Sequence, residues 1–266
     1  MKTVIIYYFS GTGNTEYVAR LIDKELHDKG ISVALLALDF IKDPIIEPYD
    51  TIILGFPVHG YGVPVPVREF IKRIPNSHSK NAVIFSTYGG YSAGAERWAA
   101  KLLLEKGFTT IDICGIKMPH NNPAGVDVKN QPIEKLVNKA KFRVKKLINN
   151  FITANEKVTT FSMGHAIIGS WLNPWAINKH IIDFSFSDKV YADQKCTHCL
   201  KCIKMCPTEN IYIQNEKVTF GEKCSSCLRC FNNCPAQAIQ TGVKTVKAPR
   251  YKGPLGDYKY PINTFG

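Results

Sequence analysis

The sequence contains no uninterrupted apolar run of the ~18 residues that a membrane-crossing helix needs. Its nearest approach, Phe161 to Phe186, is broken by His165, Asn173, Pro174, Asn178, Lys179, His180 and Asp183. Nor does the start read as a secretory leader. Its apolar run, Val4 to Phe9, is short, runs into Gly11-Thr12-Gly13 and has no small-residue cleavage site. The expectation is a cytoplasmic protein with no transmembrane segment. Cysteine is nearly absent from the first 195 residues, where Cys114 stands alone, and residues 1–127 have no charge excess, with 13 basic and 13 acidic side chains. With 45% apolar and 21% charged residues, global disorder, collagen and coiled coil are excluded.

The missing sulfur and charge are concentrated in the second half. Eight of the nine cysteines lie between Cys196 and Cys234, and residues 128–266 carry 21 basic against 9 acidic side chains, the whole of the net +12. A chain of 266 residues divided in this way reads as two unlike domains. Residues 1–152 alternate strand and helix patterns. Apolar or β-branched runs at 3–9, 31–38, 50–55, 81–86 and 108–116 alternate with helical spacings at 14–29, 67–74, 92–107 and 133–152. This pattern predicts an α/β domain with a doubly wound five-stranded parallel sheet. Residues 153–188, with Trp171, Trp175 and Phe184, read as a linker that packs between domains, with a lid or membrane-surface helix as the alternative. Residues 189–243 form a compact cysteine domain, and the Pro- and Gly-rich residues 244–266 read as an extended tail on the surface.

The cysteines repeat one spacing twice. Cys196, Cys199, Cys202 and Cys206-Pro207 are followed by Cys224, Cys227, Cys230 and Cys234-Pro235. A disulfide framework belongs to secreted chains. Zinc needs only pairs of Cx2C and leaves the triplet, the x3 gap and the repeated Cys-Pro unexplained. The run resembles the bacterial ferredoxins that carry two [4Fe-4S] clusters. That resemblance implies that Cys196, Cys199, Cys202 and Cys234 hold one cluster and Cys224, Cys227, Cys230 and Cys206 the other. Lys195, Lys201, Lys204 and Lys223 nearby favour the reduced, more negative state.

After the first strand, Ser10-Gly11-Thr12-Gly13-Asn14-Thr15 leads straight into a helix, so hydroxyls, glycines and a helix N-terminus converge on one point suited to a phosphate. The loop has no lysine, unlike a nucleotide-hydrolysing loop, and Glu16 stands where a dinucleotide fingerprint needs its third glycine. The plainer alternative is that Ser10 and Asn14 only cap the helix. The third strand ends in Pro57-Val58-His59-Gly60-Tyr61 and the fourth in Thr87-Tyr88-Gly89-Gly90-Tyr91, at the sheet's switch point. Residues 1 to about 152 resemble a flavodoxin. The resemblance implies FMN, with its phosphate on Ser10, Thr12, Gly13, Asn14 and Thr15 and its ring between Pro57–Tyr61 and Thr87–Tyr91. Tyr88 is the expected stacking residue ahead of Tyr61 and Tyr91, while His59 either donates to the flavin or braces its loop. Cys114, Trp98 and His120 read as packing.

Most of the chain, a flavodoxin-like domain followed by a two-cluster ferredoxin-like domain, resembles the flavodoxin–ferredoxin fusion proteins of anaerobes. That resemblance implies an electron-transfer protein passing low-potential electrons between two [4Fe-4S] clusters, FMN and redox partners. The alternative is a ferredoxin-fed FMN reductase of a small organic substrate, with His59 or Tyr61 as proton donor. A non-catalytic redox sensor is the third possibility. With its cofactors the net charge falls only to about +6, so an acidic, ferredoxin-like redox partner is expected on the 128–266 half. No nucleic-acid-binding motif is present. The run Lys139 to Lys146 reads as a solvated helix face, and no hydrolytic triad is visible.

Overall fold

The computed structural model describes residues 2–122, 128–153 and 189–261. The segment 154–188 and the end of the tail, 262–266, lie outside the described residues. Five strands, β1 (Thr3–Tyr8), β2 (Ser32–Ala37), β3 (Thr51–Pro57), β4 (Asn81–Tyr88) and β5 (Thr109–Lys117), form a parallel sheet in the order β2-β1-β3-β4-β5. The order reverses between β1 and β3, so the loops after these two strands diverge and leave a crevice at their carboxyl ends.

Strand periodicity divides the core into two layers. Ile5, Tyr7 and Phe9 face one side, where α2 (Val65–Arg73) and α3 (Ala95–Leu104) contribute Val67, Phe70, Ala99 and Leu103. Val4, Ile6 and Tyr8 face the other, covered by Val18, Ile22 and Leu26 of α1 (Asn14–His27) and by Val144, Leu147, Ile148 and Phe151 of α4 (Ile133–Thr153). β1 is buried on both faces because helices cover both, which explains why its sequence is continuously apolar. The helix α2 has a proline in its first turn and ends on Lys72 and Arg73, charges that suit its C-terminal dipole.

The cysteine domain is small. Strand β6 (Val190–Ala192) pairs antiparallel with β9 (Ile239–Thr241), and β7 (Ile211–Gln214) pairs with β8 (Lys217–Phe220) across a turn whose Asn215 and Glu216 both have positive φ. That turn closes a two-residue hairpin whose twist matches its strands. The cysteine repeat extends to the backbone. Leu200 and Leu228 both sit at φ 57°, His198 and Ser226 at 51° and 53°, and Glu209 and Gln237 at 51° and 52°, each pair twenty-eight positions apart. A leucine at positive φ is strained. The same strain at equivalent positions means that both loops wrap in the same way. Each leucine precedes a one-turn helix, Lys201–Met205 in the first motif and Arg229–Asn233 in the second.

The expectation of a surface tail is corrected by its first half. Tyr251 is 4% exposed and Arg250 9%. Proline and glycine make this segment extended, but its aromatic side chains anchor it against the phosphate loop.

Candidate functional site

The crevice above the switch point is a cavity of about 570 Å³, within the range of a cofactor site. Its floor is the Ser10–Thr15 loop. Ser10, Thr12 and Thr15 are 3%, 2% and 1% exposed, and each hydroxyl is held. Ser10 Oγ accepts from Gly13 N at 3.1 Å, Thr12 Oγ1 accepts from Asn121 Nδ2 at 2.7 Å, and Thr15 Oγ1 meets Thr87 Oγ1 at 2.7 Å. No side chain caps α1; Gly13, in the left-handed region at φ 95°, takes the cap position. Asn14 instead spans the site. Its Nδ2 donates to the Pro119 carbonyl at 2.8 Å and its Oδ1 accepts from Tyr251 Oη at 2.6 Å. A preorganised ring of hydroxyls and backbone at a helix N-terminus fits the phosphate of FMN.

Every flavin-site residue predicted from sequence except Gly13 lines this cavity. Gly13 faces the other way. A Cβ there would stand 2.6 Å from Tyr258 Cδ2, so the glycine lets the tail ring lie flat on the loop. The walls are Pro57–Tyr61 and Thr87–Tyr91, with Tyr61 and Tyr91 largely exposed at 53% and 43%. Sequence reasoning missed the loop after β5, where Pro119, His120, Asn121 and Asn122 close a further side. His120 is therefore a cavity residue as well as a packing one: a Cβ on Gly89 would stand 2.3 Å from His120 Cδ2, and the unpartnered Nδ1 is buried.

The remaining wall comes from the other domain. Ser226 and Leu228, on either side of Cys227, line the same cavity. Contact there is backbone to backbone: a Cβ on Gly11 would stand 2.5 Å from the Cys227 carbonyl oxygen. His59 reaches across as well, its Nδ1 3.1 Å from the Ser225 carbonyl. A carbonyl only accepts, so Nδ1 carries the proton and Nε2 keeps its lone pair. Burial, aided by the Arg229 charge, pushes the His59 pKa down to about 4 against the pull of the Ser225 bond, so the ring is neutral at pH 7.

Arg229 joins the halves. It is 1% exposed, and its Nη2 lies 2.9 Å from Asp39 Oδ2 and donates to the Ser10 carbonyl at 2.8 Å. Nη1 donates to the Met205 carbonyl at 2.9 Å, and the guanidinium lies 3.9 Å from the Tyr260 ring centre and 5.1 Å from that of Phe9. Burial raises the Asp39 carboxyl above its usual range while the Arg229 charge pulls it back. One cation thus ties β2's end, the phosphate loop and both cysteine motifs.

Cys196, Cys199, Cys202 and Cys234 line one small, mostly apolar cavity together with Cys230. Burial pushes the Cys202 thiol up to about 11, with Cys234, Cys196 and Cys199 adding like charge. Cys227 and Cys230 are likewise raised by burial, and both feel Cys206. Buried thiolates of this kind need a bound cation to offset their charge. Two backbone amides donate to sulfur at equivalent places, Asn210 N to Cys206 Sγ and Ala238 N to Cys234 Sγ, both at 3.3 Å. Arg229 Nε and, on Arg250, Nε and Nη1 are buried without a protein partner beside these cysteines. Among the described residues no three His, Cys, Asp or Glu side chains converge on a single-ion site. Thiols ringing a space, flanked by spare donors, fit a cluster with sulfide acceptors.

Residues 5–124 match the family model of the flavodoxin domain, and residues 188–235 match that of the 4Fe-4S dicluster domain. Among solved structures, the two-electron reduced flavodoxin of Megasphaera elsdenii is 26% identical over 52% of this chain and 98% of its own, with a TM-score of 0.40. Flavodoxin 2 of Bacillus cereus is 22% identical over 55% and 99%, TM-score 0.42, and a flavodoxin from the domain Archaea 19% identical over 56% and 97%, TM-score 0.41. No curated protein matches the chain. A flavodoxin domain followed by a 4Fe-4S domain supports electron transfer involving FMN and iron–sulfur chemistry. The two matches in one chain are the arrangement of a flavodoxin–ferredoxin fusion.

Proposed function

We propose that the chain is an internal electron wire in which FMN occupies the switch-point cavity and two [4Fe-4S] clusters occupy the cysteine domain. Cys224, Cys227, Cys230 and Cys206 hold the cluster next to the flavin, and Cys196, Cys199, Cys202 and Cys234 hold the distal one. The crossed fourth ligands are supported by Cys234 lining the cavity of the first triplet and by Cys206 acting on Cys227 and Cys230. Bound there, the flavin supplies one- and two-electron chemistry and the clusters supply one-electron steps. The chain fixes the order: Arg229 and Gly11 hold the second motif on the phosphate loop, and His59 braces Ser225 beside Cys224. One observation carries the reading: the residues flanking Cys227 are part of the flavin cavity itself.

The redox partner is an acidic carrier protein, drawn to the basic second half. A reductase using His59 as proton donor is disfavoured, because that ring has no proton to give on Nε2 and is neutral at pH 7. The test is an anaerobic reductive titration with iron, sulfide and flavin measured in the same sample, followed by stopped-flow reduction. About eight irons and eight sulfides per FMN, and a cluster-to-flavin phase whose rate is independent of protein concentration, are expected. Bound zinc without flavin refutes the cofactors, and a phase that scales with concentration refutes the wire.

A further inference from the structure

The two cysteine motifs repeat each other in backbone, yet present the same face to different surroundings. In the second motif Cys227, Leu228 and Arg229 are 8%, 7% and 1% exposed, because the flavodoxin domain covers them. Cys227 lies on Gly11, Leu228 enters the flavin cavity and Arg229 meets Asp39. The equivalent residues of the first motif are Cys199, Leu200 and Lys201. All three are exposed, Leu200 at 39%. Lys195 and Lys204 beside them are exposed too, while Asp193, the nearby acid, is engaged by Gln240 Nε2 at 2.9 Å and by Lys195 N at 2.9 Å.

We infer that this exposed face is a second docking face, on which an acidic electron-carrier protein seats as the flavodoxin domain seats on the first. The inference rests on the two-cluster reading above and adds where electrons enter or leave. The partner sets a carboxylate against Lys201, as Asp39 is set against Arg229, and lays an apolar rim on Leu200. One substitution between the repeats explains why one contact is permanent and the other reversible. Arginine's rigid fork suits a buried pair, whereas lysine is a mobile, well-hydrated point charge suited to a salt-screened encounter. The exposed thiol of Cys199 puts the distal cluster's ligand shell within reach of that encounter.

The test uses the holoprotein and a purified, reduced acidic two-cluster ferredoxin as probe, mixed in a stopped-flow instrument at low and high ionic strength. Wild type is expected to react faster as salt falls, Lys201→Glu to be slowed about tenfold at low salt, and Lys201→Gln to fall between. Lys141→Glu, exposed on α4, is expected to match wild type. Iron, sulfide and dithionite reduction are measured for each variant. If Lys201→Glu loses its distal cluster, Lys201→Gln and Lys204→Glu carry the comparison. Unaltered rates in the Lys201 variants, equal slowing by Lys141→Glu, or a wild-type rate indifferent to salt overturns the docking face while leaving the clusters in place. Absence of iron and sulfide from wild type overturns the two-cluster reading, and this inference with it.

Discussion

Replacing Arg229 with methionine tests whether the two domains are one machine. Methionine keeps much of the volume and removes the charge, so Asp39, whose side chain is 8% exposed, is left as a buried carboxylate with no counter-ion. Breaking one side of a buried pair costs about 3–5 kcal/mol, far more than an exposed pair. The bonds to the Ser10 and Met205 carbonyls at 2.8 and 2.9 Å go as well, within that same figure because the contacts are not independent. For a chain of this size the loss corresponds to a fall of about 6–20 °C in apparent Tm. The assay is anaerobic thermal denaturation at one fixed scan rate, followed by flavin fluorescence and cluster absorbance, since cluster loss makes unfolding irreversible. Arg229→Met combined with Asp39→Leu removes both charges and should recover at least half of the loss. Arg229→Lys should fall between, keeping charge without the fork. A single variant within about 2 °C of wild type, or a double variant no better than the single, refutes the reasoning.

Two further outcomes follow from the same interface. Gly11→Ala places a Cβ 2.5 Å from a backbone oxygen of the second cysteine motif, so the domains must part; iron and sulfide contents should stay near wild type while stopped-flow, normalised to bound flavin, shows a severalfold slower cluster-to-flavin phase. His59, with a folded pKa near 4 against about 6.5 unfolded, binds a proton more readily when unfolded, so it removes stability as pH falls from about 6.5 toward 4, by up to about 3 kcal/mol. His59→Asn should flatten that part of the apparent Tm-against-pH profile, and an unchanged slope counts against it.

The strands and helices of the first domain were legible because β1's unbroken apolar run and the 3.6-residue spacing of Val18, Ile22 and Leu26 each answer to local burial. The phosphate loop and the doubled cysteine spacing were legible because their chemistry depends on neighbours in sequence. What joins them was not. Arg229 reads as one more cation in a basic half until the fold brings Asp39, 190 positions away, against it. His120 reads as packing because its cavity exists only once β4 and β5 lie side by side. The tail's prolines and glycines announce an extended chain but not its destination; Tyr251 and Tyr258 were the signal that it packs.

That tail also imposes an order of assembly. The phosphate loop is synthesised early, yet Asn14 meets its partner Tyr251 only 237 residues later, and the ring that lies on Gly13 comes later still. An emerging flavodoxin domain can fold its sheet but cannot finish its flavin pocket, because one wall and the backing of the loop have not been made. Pocket completion waits for the cysteine domain to fold and dock. FMN retention therefore reports on a finished iron–sulfur domain, and a chain whose cysteine domain fails to form is left with a loosely built flavin site as well.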